Sequence, residues 1–152
     1  MSYSLEILKA TRKNIIRDIE NLSIEQFNII PNGFNNNIIW NVAHLVATQQ
    51  LLVYGFSGTP FVVPQELIDL YRKGTAPTAV VDKEQIEEYK SLLISTIEQM
   101  DKDYKNGALG ENYRAYTTSY GMTLSSVEEA IEFNNVHDAM HYGMIKMMLR
   151  MV

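Results

Sequence analysis

The chain carries four prolines, at positions 31, 60, 64 and 77, so residues 1–30, 32–59 and 78–152 are free of them. A proline inside a helix costs about 3 kcal/mol or more, because it removes a hydrogen bond and clashes with the preceding turn. Long helices therefore have room in the three proline-free stretches, and breaks concentrate between residues 55 and 81. Within the free stretches apolar residues recur at steps of three and four, the period of an amphipathic helix.

Residues 4–21 form the first such segment. Leu5, Leu8, Ile15, Ile19 and Leu22 share its apolar stripe, and Arg12, Lys13 and Arg17 are assigned to other faces. Ser23-Ile24-Glu25-Gln26 opens one short further turn, closed by Pro31-Asn32-Gly33. The second helix is predicted over 37–54, with Trp40, His44, Ala47, Leu51 and Tyr54 on one stripe and Ile39, Val42, Val46 and Val53 around the rest. A helix apolar on all sides belongs at the centre of a fold. The connection 55–81 is long enough to cover a site, with a short helix expected over 65–73. A third helix is predicted over 83–104, capped by Asp82 and Gln85, with Ile86, Tyr89, Leu93, Ile97, Met100 and Tyr104 buried. The fourth spans 126–151, opened by Ser125 and Glu128 as a capping box. Its stripe holds Val127, Ile131, Asn134, His137, His141, Met144 and Met148. Four long helices in 152 residues predict an all-α four-helix bundle with long connections, in one domain over 1–152.

Charge and composition narrow the function. Lys plus Arg is 13 against 18 for Asp plus Glu, a net −5, which argues against nucleic-acid binding and against a polybasic membrane surface. The absence of cysteine excludes thiolate metal sites, disulfides and cysteine nucleophiles. With no apolar run of spanning length and no basic-then-apolar amino terminus, a soluble cytoplasmic protein is expected.

There are three histidines, His44, His137 and His141, and each falls mid-helix on a stripe that should face the core. His137 and His141 are four apart, one above the other on a helix, with about 5–6 Å between Cβ atoms. Two imidazoles so placed can hold one ion, and His44 would add a third nitrogen from another helix. Three nitrogens leave at least one coordination position open, the arrangement of a reactive site. The competing reading is that of core histidines with ordinary hydrogen bonds, which would require a separate partner for each ring. Asp138 is either solvated or an outer partner of an imidazole. Asn134, one turn before His137, is expected either to support the site or substrate or to cap a neighbouring loop. Trp40, one turn before His44, is expected to be a pocket wall or plain core. Gly143 marks close helix approach or clearance for a ligand. Five of the eight methionines lie in the last 13 residues, as soft packing or, where exposed, a dimer face.

Two blocks, Asn37-Ile38-Ile39-Trp40-Asn41-Val42-Ala43-His44-Leu45 and His137-Asp138-Ala139-Met140-His141-Tyr142-Gly143-Met144-Ile145, resemble the DinB/YfiT-like family of metal-binding four-helix bundles. Their separation, the chain length and the lead-in Tyr116-Thr117-Thr118-Ser119-Tyr120-Gly121 fit as well. The resemblance implies a divalent ion, zinc or nickel foremost, held by one histidine of the second helix and two of the fourth. These map onto His44, His137 and His141. It also implies a frequent homodimer. Relatives include bacillithiol S-transferases and a mycothiol-dependent maleylpyruvate isomerase. Asp138 stands where Glu is common in that family, and Met144 where Gln often follows the glycine.

Three functions are compatible with these features. The first is a metal-dependent transferase using a low-molecular-weight thiol on a small-molecule substrate. The second is a metal hydrolase that activates water, favoured by Asp138 within reach of the open position. The third is a noncatalytic metal-binding or interaction bundle, favoured by a site closed to solvent.

Overall fold

The computed structural model describes residues 2–110 and 112–152. Helix α1 spans Ser2–Ile19, α2 Ile24–Asn28, α3 Ile38–Gln49, α4 Gln65–Tyr71, α5 Lys83–Lys105 and α6 Val127–Met148. Helix α1 packs on α5 and α6, and α3 packs on the same two. The four long helices thus form a ring in which α1 and α3 stand diagonally across the bundle. Among the described residues the structure is all-α apart from one short hairpin, β1 (Tyr116–Thr117) with β2 (Thr123–Leu124). The sequence reading did not foresee that hairpin.

Local signals set the helix ends. Ser23 and Gln26 close a capping box on α2, and Asp82 and Gln85 close one on α5. Helix α6 starts one residue later than the expected frame. The Ser126 side chain accepts the Glu129 N–H at 3.2 Å, and Glu129 Oε2 accepts the Ser125 N–H at 2.6 Å. Ser125-x-x-Glu128 and Ser126-x-x-Glu129 overlap in the sequence, and periodicity alone does not choose between them. The predicted second helix also divides. After Gln49 it continues as a π-helical segment, Gln50–Gly55, whose i→i+5 bonding widens the turn. Both Leu51 and Leu52 then reach the cavity described below.

The apolar core consists of two clusters. One holds Ile15, Ile19, Ile38, Val42, Leu93 and Ile145; the other holds Leu5, Leu8, Leu52, Ile97, Met100 and Ile131. In every long helix a buried polar residue separates the two: Arg12 in α1, Gln49 in α3, Thr96 in α5 and Asp138 in α6. Arg12 was expected on an outer face, and its burial is complete. Its Nε donates to Asp138 Oδ2 at 2.7 Å, its Nη1 to Gln49 Oε1 at 2.9 Å and Thr96 Oγ1 at 3.2 Å, and its Nη2 to the Leu45 carbonyl at 3.2 Å. One guanidinium thereby touches the other three long helices. Burial is tolerable here because the charge is paired and each guanidinium nitrogen has an acceptor.

The segment after α5 folds back against the end of the π-helical stretch. At Gly110 a Cβ would stand 2.2 Å from the Ser57 carbonyl oxygen, so only glycine fits that approach. Gly143, by contrast, is exposed, and a Cβ there would meet nothing within 4 Å. No neighbour among the described residues therefore requires this glycine, so of the two expectations, close helix approach and clearance for a ligand, the first is not met within the chain.

Candidate metal centre

His44 comes from the middle of α3, and His137 and His141 from successive turns of α6, which packs beside it. All three are buried, and their ligand-capable nitrogens lie within 4.8 Å of one another. In His44 and His141 the second ring nitrogen fixes the ring's orientation. His44 Nδ1 lies 2.6 Å from the Tyr71 carbonyl, which can only accept, so Nδ1 carries the proton. His141 Nδ1 lies 2.8 Å from Asn41 Oδ1. The Asn41 amide cannot be flipped there, because its Nδ2 donates to Asn36 Oδ1 and the Asn37 carbonyl. His141 Nδ1 therefore also donates. His137 Nδ1 faces Asp138 Oδ1 at 3.7 Å, about 0.8 Å beyond an ordinary hydrogen bond, and both atoms are buried without other partners.

With the protons of His44 and His141 on Nδ1, their Nε2 lone pairs are free to face the third ring. His44 Nε2 and His137 Nε2 are 3.2 Å apart. At that distance either His137 Nε2–H donates to His44 Nε2, or a cation stands between two lone pairs. Zinc–imidazole bonds of about 2.0–2.1 Å in a tetrahedron place two nitrogens about 3.3 Å apart. The donor set therefore fits one divalent ion. The oxygen acceptors behind His44 and His141 are also the arrangement that holds metal-ligating histidines in place.

Burial pushes His44 down to about 4, against the pull of the Tyr71 carbonyl, and the neighbouring His137 ring adds to the depression. Burial, then His137 and His44, push His141 down to about 3. Both rings are thus neutral, the form that binds metal, well below neutral pH. An unfolded histidine titrates near about 6.5. As pH falls below that value the unfolded chain takes up protons that the folded chain refuses, so stability is complete above about 6.5 and is lost as pH drops toward the folded values. The metal-free protein is expected to melt at progressively lower temperature from pH 7 to pH 4.5. An imidazole NMR titration of His44 or His141 with a midpoint near 6.5 would contradict this.

Asp138 is not solvated; it is fully buried behind His137. Burial pushes its carboxyl up, but the Arg12 guanidinium and the His137 ring together hold it below the usual carboxylate range. Trp40 is both core and pocket wall. Its ring stacks on His44 at 4.5 Å, and its Nε1 donates to Thr75 Oγ1 at 3.2 Å. Asn134 is fully buried, donates to the Ala130 carbonyl of its own helix, and leaves Oδ1 unpartnered. Sequence reasoning missed Asn41, Thr48, the Tyr71 carbonyl and Arg12. Arg12 had a visible signal, since Leu5, Leu8, Arg12, Ile15 and Ile19 follow one unbroken three–four stripe.

A cavity of about 570 Å³ reaches all three histidines. Leu51, Leu52, Phe56, Phe133, Met140 and Met144 form much of its wall, and the hairpin turn Ser119–Tyr120 and the Lys73–Gly74 turn lie over it. A model of the family described as the DinB superfamily matches residues 7–145. The chain belongs to the DinB superfamily. No curated protein matches the sequence of this DinB-superfamily member. Among its described residues no helix is long and apolar enough to cross a membrane.

Proposed function

We propose that this protein is a metal-dependent transferase that acts with a low-molecular-weight thiol, using His44, His137 and His141 to hold one zinc or nickel ion. The observation that carries the reading is the cavity, which brings a largely apolar, ligand-sized space directly onto the triad. A divalent ion held by His44, His137 and His141 would supply Lewis acidity that lowers the pKa of an approaching thiol.

The chain's own residues do the rest. Tyr71 and Asn41 aim the His44 and His141 rings from behind, and Asp138 places a carboxylate oxygen 3.7 Å from His137 Nδ1. Thr48, whose Oγ1 lies 3.3 Å from His44 Nε2, stands on the cavity wall and offers a hydrogen-bonding oxygen beside the triad. The apolar walls exclude water that would compete with sulfur. The hydrolase alternative has less support, because Asp138 is held by Arg12 and does not line the cavity. A closed, noncatalytic site fits poorly with a cavity that opens onto the triad.

Cobalt(II) substitution tests the reading. Small thiols are expected to produce a sulfur-to-metal charge-transfer band, growing with pH as the bound thiol loses its proton. A cobalt spectrum indifferent to every thiol offered would overturn it.

The same proposal has the protein working as a homodimer in the cytoplasm, where such thiols stay reduced. Val136, Met140 and Met147 share one exposed face of α6 with Gly143, and a second α6 can approach that face closely. Met147→Glu is expected to turn a sedimenting dimer into a monomer. A wild-type protein that stays monomeric at high concentration would end this part of the reading.

A further inference from the structure

Among the described residues lining the cavity, the histidines aside, Lys73 is the one titratable cation. No aspartate or glutamate stands among them, in a chain whose net charge is −5. Lys73 is exposed at the rim, and no carboxylate among the described residues pairs with it. Its turn is nevertheless anchored to the metal centre on both sides. Before it, the Tyr71 carbonyl accepts from His44 Nδ1 at 2.6 Å. After it, Thr75 Oγ1 accepts from Trp40 Nε1 at 3.2 Å and donates to the Arg72 carbonyl at 2.8 Å. Gly74, at φ +91°, allows the reversal between these anchors.

A single cation thus stands at the mouth of an apolar cavity whose inner end is three imidazoles. We propose that the organic substrate of this site is an apolar carboxylic acid, its carboxylate bound by Lys73 Nζ and its apolar body packed on Leu51, Leu52, Phe56 and Phe133. This rests on the cavity being the substrate site of the proposed transferase. A lone ammonium is a point charge and matches a monoanion, whereas bidentate recognition of phosphate favours arginine. An apolar body with one charged end matches the apolar wall and the rim cation together.

Trp40 provides the assay, because it is the one tryptophan in the chain and lines the cavity. Metal-free protein is titrated with octanoate and with 1-octanol, a neutral ligand of the same chain length, following tryptophan fluorescence and heat of binding. Octanoate is expected to bind wild type about tenfold more tightly than Lys73→Gln, with Lys73→Arg retaining most of the affinity and octanol binding wild type and Lys73→Gln alike. Raising the salt should weaken octanoate alone, as screening of a charge pair requires. Equal octanoate affinity in wild type and Lys73→Gln overturns the proposal. So does octanol binding wild type as tightly as octanoate, or no octanoate binding by either method. Because the metal-free protein is used, this outcome is read independently of the cobalt–thiol experiment.

Discussion

Arg12→Met is expected to destabilise the protein by about 3–5 kcal/mol, the cost of leaving a buried carboxylate without its partner. Asp138 has no solvent exposure, and Arg12 is the cation it faces. Adding Asp138→Asn to Arg12→Met should recover part of the loss, because a neutral amide is cheaper to bury than an unpaired charge. Urea unfolding of the wild type, both single variants and the double variant measures the pair directly. A loss below about 1 kcal/mol for Arg12→Met would mean that the bundle centre relaxes to admit water. Lysine should not substitute well, since it lacks the planar fork that reaches Asp138, Gln49, Thr96 and the Leu45 carbonyl together.

The second large effect concerns the triad. The purified protein should hold close to one divalent ion per chain, and each of His44→Ala, His137→Ala and His141→Ala should weaken binding severely. Asn41→Ala, which removes the acceptor behind His141, sets the scale, since such outer partners are worth about 10–100-fold in affinity. Loss of a ligand should exceed that. Metal analysis showing full occupancy in any two of the histidine variants would remove the triad from consideration. The chelated protein should remain helical, because both apolar clusters are built without the site, and should melt lower. Metal at about a thousand times its dissociation constant adds roughly 4 kcal/mol by mass action.

The long helices were legible because each buries a continuous stripe, and Asp82 with Gln85 marked the start of α5 correctly. The three histidines were legible as a group because they are the chain's full complement and all fall on buried stripes. Contacts made by backbone were not. Nothing in the letters around Tyr71 announces that its carbonyl orients His44 across 27 residues. Arg12 was misplaced because a cation is ordinarily sent to the surface, a rule that fails where a single partner such as Asp138 lies far along the chain. The π-helical turn at Gln50–Gly55 was invisible because its residues carry the same apolar pattern as an α-helix would.

The reach of Arg12 has a consequence for how this protein is made. Its ion-pair partner lies 126 positions later, and His44 waits 93 positions for His137. A ribosome adding about 5–20 residues per second therefore leaves three helices in the cell for several seconds with an unneutralised cation at their common centre. Those helices cannot shut early around a wrong arrangement, because closure would desolvate the guanidinium with no carboxylate to receive it. Emergence of α6 removes that obstacle and delivers two of the three imidazoles in the same segment. The last helix thus completes the core and the metal site together, and a nascent chain arrested before residue 138 is expected to be protease-sensitive throughout.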